Sequence, residues 1–341
     1  MNKTLSKHFG GHTRLILKAG ASIGLVGWLF TRIDTAALLS AFSGVPPVFL
    51  LWALTLYLAA TAVGALKWYR LTLGFDFRLI FKTMFVAQYY ALLIPGQLGG
   101  EIIKAYKLNQ RHRFPEDIIS SILIDRLTGW GALLIMGLVA LTLSRADQAA
   151  WMASRFILTI GLLAAGLWLL QSDVLQTWLS RLARIHPQIE NRTRRFEKHL
   201  NGILTACRRY RQSPRLLLET VTLGIVYHLM GAGIFLFLCR GYGIGVAFTD
   251  LCWIFAAISL LLLLPITAGG IGLRESGLVV MLGWLSVPPE KAMAVSLSFF
   301  ACQLIGAAIG AALDWQPISR ARRHCGLPAS ACEPVRIDTD S

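Results

Sequence analysis

Two stretches of this sequence set ionisable side chains just beyond helix breakers in apolar runs. The first reads LLIPGQLGGEIIKAY (92–106) and the second LLLPITAGGIGLRES (262–276). Both share the pattern Pro-x-x-x-Gly-Gly. Pro95, Gly96, Gly99 and Gly100 lead into Glu101 and Lys104, and Pro265, Gly269, Gly270 and Gly272 lead into Arg274 and Glu275. A third stretch, SSILIDRLTGW (120–130), places Asp125 and Arg126 about two turns into an apolar helical pattern. The chemistry these residues fit is anion binding. Proline withdraws a backbone donor and glycine permits the turn. A helix restarting after the break offers N–H groups that favour an anion, phosphate included. A guanidinium adds a fork matched to phosphate oxygens.

The candidate substrate-binding residues are therefore Arg126, Arg274, Glu275, Glu101, Lys104 and Asp125. Adjacent residues on a helix do not face one another, so Asp125 and Arg126 need separate partners. Arg126 is within plausible reach of Glu101, Glu275 or a lipid phosphate. Plainer roles compete with these: kinks in packed helices, snorkelling to the interface, or an Arg274–Glu275 ion pair at a hairpin mouth. Lys107 reads as a positive-inside residue. Mid-span His228 and Gln303 read as packing residues with interhelical hydrogen bonds. We expect no catalytic residue, metal site or cofactor, since no Walker A loop, H-E-x-x-H or G-x-S-x-G occurs. The six cysteines form no C-x-x-C, and no disulfide is expected.

The elements that must position these residues are membrane helices. The 341 residues are 55% hydrophobic and only 15% charged, where a soluble domain carries about 25% charged residues. Candidate spans are 15–31, 45–66, 118–143, 152–171, 216–239 and 292–313. Apolar stretches at 79–95 and 248–264 each run into one of the Pro/Gly breaks. If 79–95 crossed fully, the segment 172–215, with ten Lys or Arg against three acids, would lie outside. That opposes the positive-inside bias. Reading 79–108 as a hairpin that dips in and returns places the basic loops 1–14, 67–82, 104–116, 172–215 and 320–323 in the cytoplasm. The segment 248–283 is then a second hairpin entering from the other face. The net charge of +15 follows from this loop bias, and nucleic-acid binding is not expected.

The fold class expected is thus an all-α polytopic membrane protein, with about six full transmembrane helices plus two re-entrant hairpins in inverted repeats. Helix, hairpin and helix at 45–66, 79–108 and 118–143 recur as 216–239, 248–283 and 292–313. Such repeats place transport sites near the bilayer midplane. Residues 1–314 form one membrane domain, with a first half at 1–143 and a second at 216–314. A basic amphipathic cytoplasmic linker, 172–215, joins them, and 315–341 is a disordered cytoplasmic tail. An uncleaved first helix is expected.

LLIPGQLGGEIIKAYKL, DRLTGW and LPITAGGIGLRESGL together resemble the lysylphosphatidylglycerol synthase transmembrane family, also called flippase-like. The resemblance covers nearly the whole chain, and its last motif is the most specific. One departure is Gln97, where many relatives carry Arg. The resemblance implies an integral protein of the bacterial inner membrane related to the lipid-translocating half of those synthases, and the loop charges above place both termini in the cytoplasm. Their aminoacyl transfer belongs to a separate soluble domain, for which the tail is too short. The expected function is movement of an anionic lipid or lipid-linked intermediate. Membrane lipids (anionic phospholipid or glycolipid) are the partners. The alternative is an accessory scaffold for a lipid-modifying transferase.

Overall fold

The computed structural model describes residues 34–72, 74–93, 99–109, 115–144, 210, 213–263, 270 and 272–315. Among them all regular structure is helical, and the chain is an all-α polytopic membrane protein. In chain order the helices are α1 (Thr35–Ser43), α2 (Pro47–Leu71), α3 (Phe77–Leu93), α4 (Gly99–Asn109), α5 (Pro115–Leu143), α6 (Pro214–Gly241), α7 (Phe248–Leu261), α8 (Leu273–Gly283) and α9 (Pro289–Trp315). The expected spans 15–31 and 152–171 lie outside the described residues, as do nearly all of the linker and residues 316–341 of the expected tail; residue 315 ends the last helix.

The four long helices α2, α5, α6 and α9 each open on a proline: Pro47, Pro115, Pro214 and Pro289. Proline suits that position because its missing N–H has no intrahelical partner there and its φ is preset. Each long helix has the length and apolarity to cross a membrane. At 1.5 Å per residue, 25 residues reach about 38 Å, more than the ~30 Å hydrocarbon core. Their outward faces carry Leu51, Trp52, Val139 and Leu218, all exposed, as a lipid-facing surface requires. Helix α1 occupies the stretch between the expected spans 15–31 and 45–66. Asp34 caps it, its Oδ1 accepting from the Ala36 N–H at 2.9 Å, and the helix packs on α9.

Each short pair of helices flanks a Pro/Gly break. A Cβ placed on Gly100 would lie 3.0 Å from the Ala87 carbonyl oxygen and 3.5 Å from the Ala91 Cβ. Helix α4 therefore doubles back along α3. One on Gly277 would lie 3.4 Å from Leu261 Cδ2 and 3.7 Å from Ile258 Cγ1, so α8 sits beside α7. Gly270 and Gly272 have φ of 80° and 85°, a region that costs side-chain-bearing residues free energy. Pro95, Gly96, Pro265 and Gly269 lie outside the described residues.

The halves follow the same order: long helix, short pair, long helix. Their packing is reciprocal. Among the described helices, α2 and α6 make the most extensive contact. Helix α5 of the first half leans on α7 of the second, while α9 of the second leans on α3 of the first. The α9–α3 approach is close enough that a Cβ on Gly310 would overlap the Phe85 carbonyl oxygen. One large core, centred on the fully buried Trp253 and including Leu238, Leu251 and Ala292, joins α2, α5, α6, α7, α8 and α9. A smaller core of Trp68, Ile80, Leu108 and Ile118 seats the first hairpin on α2 and α5.

Candidate functional site

Helix α2 runs five residues past the expected end of its span, through Lys67 and Trp68 to Leu71. That extension carries Lys67 alongside α5. Its Nζ lies 2.9 Å from Asp125 Oδ1 and donates to the Asp125 carbonyl oxygen at 2.6 Å. Asp125 and Arg126 diverge as helical neighbours must. Arg126 Nη2 donates to Glu101 Oε1 at 2.8 Å, across from α5 to the start of α4. Lys104, one turn along α4, donates to the same oxygen at 3.3 Å. Its Nζ also sits over the Trp68 ring, 5.0 Å from the centroid. A cation over an indole face gains about 0.5–2 kcal/mol, more as water is excluded.

These groups border a cavity of about 370 Å³ between the two halves. Lys67, Glu101, Lys104, Asp125 and Arg126 come from the first half. The second half contributes Tyr227 and His228 from α6, Phe255 and Ser259 from α7, and Leu262 and Leu263 beyond it. Three cations meet two carboxylates here. A cluster of five charges in a low-dielectric interior is expensive to desolvate.

His228 sits at the cavity wall, its Nε2 3.0 Å from the Gly129 carbonyl oxygen. A carbonyl only accepts, so Nε2 carries the proton and Nδ1 presents a lone pair. Two buried side-chain atoms among the described residues have no hydrogen-bond partner in the protein: His228 Nδ1 and Glu101 Oε2. Both belong to residues lining this cavity.

Arg274 and Glu275 are placed differently. Arg274 donates through Nε (3.1 Å) and Nη2 (2.7 Å) to Glu275 Oε1, and through Nη1 to Gln303 Oε1. Its guanidinium carbon lies 5.5 and 5.3 Å from the Phe299 and Phe300 ring centroids. Glu275 Oε2 accepts from the Gly272 N–H at 2.7 Å, and Ser296 Oγ donates to Oε1 at 3.4 Å. The helix start after the second break is therefore occupied by the protein's own carboxylate. Neither residue lines the cavity. Lys104 stands nine residues after Pro95 and Arg274 nine after Pro265, so the repeat has a cation at equivalent positions, only the first at the cavity.

Lys107 pairs with Asp314 near the end of α9, and Tyr90 donates to the same carboxylate at 3.0 Å. Gln303 holds Arg274. The residue that reading the sequence missed is Lys67. Counting charges ended the span just before it, although Gly64 lies one turn earlier on the same cavity-facing side. Among the described residues no group of three His, Cys, Asp or Glu side chains stands ready to hold a metal ion.

Comparisons with curated proteins and with solved structures return no match. A family model described as the lysylphosphatidylglycerol synthase TM region matches residues 15–310. The match spans both broken-helix repeats, the charged cavity and the four long helices around it except the last five residues of α9, and the chain belongs to the lysylphosphatidylglycerol synthase TM region family.

Proposed function

We propose that this protein is a carrier, without enzymatic activity of its own, that moves an anionic lipid or lipid-linked intermediate across the bacterial inner membrane. In this reading the α3–α4 and α7–α8 pairs are re-entrant hairpins, inverted relative to one another, and both termini are cytoplasmic. One observation carries it: a cavity of about 370 Å³ at the seam between two repeated halves, with cations outnumbering carboxylates around it. That volume falls within the range of about 300–1,000 Å³ typical of small-molecule sites. Phe255, Leu262 and Leu263 give it an apolar wall beside the charges, as an amphiphile requires. Arg126 is the principal phosphate ligand, with Lys104 and Lys67 supporting it.

The test is translocation of a fluorescent short-chain anionic phospholipid in proteoliposomes. Arg126→Ala is expected to lower the rate at least about tenfold, the loss of one charge-assisted contact. An unchanged rate in folded, correctly inserted Arg126→Ala refutes the assignment. The family description names a synthase, which favours a second reading as a scaffold for a lipid-modifying transferase. A stable complex with such a transferase, with no lipid movement above that of protein-free vesicles, would establish the scaffold in place of the carrier.

A further inference from the structure

Two carboxylates follow the two helix breaks, and they are held very differently. Glu275 is saturated: Arg274 and Ser296 donate to one oxygen and the Gly272 N–H to the other. Glu101 is half used. Its Oε1 receives both Arg126 and Lys104, while its buried Oε2 has no protein donor. A buried acceptor left unmade raises the free energy of the arrangement that contains it. The other carboxylate at the cavity, Asp125, is engaged by Lys67, which also binds its carbonyl oxygen. Glu101 is thus a cavity carboxylate with one oxygen shared by two cations and the other left without a hydrogen-bond donor.

Resting on the carrier reading above, we infer that Glu101 is an internal stand-in for the ligand's phosphate. An entering phosphate displaces it from Arg126 and Lys104. A phosphate group offers more acceptor oxygens than the single one Glu101 now uses, so it satisfies the Arg126 fork and the Lys104 ammonium together. The exchange also breaks a tie between helices. Glu101 belongs to the first turn of α4 and Arg126 to α5, so displacing the carboxylate unhooks the returning arm of the first hairpin from α5. Glu101 is a positioning and competing residue: it keeps the cations organised before the ligand arrives and holds ligand affinity low enough for release.

The experiment uses the full chain in a phosphate-free detergent, with dihexanoyl phosphatidic acid and inorganic phosphate titrated separately. Binding is read from tryptophan fluorescence, since Trp130 lines the cavity. Glu101→Gln keeps the side-chain shape and removes the competing charge. It is expected to bind the lipid at least about tenfold tighter than wild type and to translocate it more slowly. Hydrogen exchange supplies the second readout. Residues 99–109 should lose protection when lipid is added to wild type, and in Glu101→Gln they should lack it from the start.

Equal or weaker binding by folded Glu101→Gln, while Arg126→Gln loses affinity, overturns the stand-in role and leaves the anion site intact. No effect of Arg126→Gln removes the anion site and the inference with it. If inorganic phosphate reproduces the whole pattern at equal concentration, the ligand is a soluble phosphate and the carrier reading falls while the stand-in role survives. If only the lipid does so, both stand. Should Glu101→Gln fail to fold, wild-type exchange decides: undiminished protection at 99–109 with lipid bound overturns the inference.

Discussion

Lys67 and Asp125 offer a way to separate structural charge from functional charge. Their side chains are 7% and 15% exposed and 2.9 Å apart. Lys67→Met leaves Asp125 buried without its cation, at a cost of about 3–5 kcal/mol. Asp125→Asn keeps an acceptor for Lys67 and leaves the bond to the Asp125 carbonyl oxygen, so a loss of about 1–3 kcal/mol is expected. Both single variants are less stable. Their effects on anion affinity have opposite signs. Lys67→Met lowers the charge at the cavity by one; Asp125→Asn raises it by one. A unit charge about 7 Å from a bound phosphate, at an effective dielectric of about 20, is worth about 2 kcal/mol, or roughly thirtyfold in affinity. Screening in a partly open cavity reduces this towards tenfold. The double variant restores the wild-type net charge, so its affinity should return close to wild type, and its stability should exceed that of Lys67→Met alone by at least about 1 kcal/mol. The assay pairs fluorescence-detected unfolding in detergent with titration of dihexanoyl phosphatidic acid. If both single variants change affinity in the same direction, the pair acts by shaping the cavity and the charge argument is refuted.

Arg274→Ala should act on folding, because it removes the main partner of buried Glu275; the expected loss is about 3–5 kcal/mol in detergent unfolding. Arg274→Lys should recover only part of it, since one ammonium does not reproduce the fork that engages Glu275 and Gln303 together. Full stability in Arg274→Ala would contradict the clamp described here. Gly310→Leu should separate α9 from α3, because even a Cβ meets the Phe85 carbonyl oxygen. We expect at least about 3 kcal/mol of destabilisation, the upper end for overpacking, or no recoverable folded protein, read by size-exclusion chromatography and unfolding.

The long helices were legible because their apolar runs are long enough to cross the membrane; the prolines that open them were not part of that reading. The breaks were legible because proline and glycine have few other uses inside such runs. Asp125 and Arg126 could be recognised as needing partners elsewhere, and Glu101 was among the candidates for Arg126. Lys67 was lost to a linear charge count, which ends a span at a lysine whether or not a carboxylate waits on the next helix. The cavity's far wall was also hidden. Tyr227, His228, Ser259 and Leu263 come from the second half, and no local pattern states that α6 and α7 meet α5. Arg274 shows the converse limit. Its sequence context left an anion ligand and an ion pair with Glu275 both open; the structure shows the ion pair, and only three-dimensional placement adds Gln303 and the two phenylalanine rings around it.

The crossed arrangement, with α5 resting on α7 and α9 resting on α3, means that each half supplies the outer wall for its counterpart's bent segment. A half produced alone would leave one bent segment bare along a full helix length. The two halves are therefore obligate companions, and a tilt of either one as a rigid unit shifts the support beneath both bends at once.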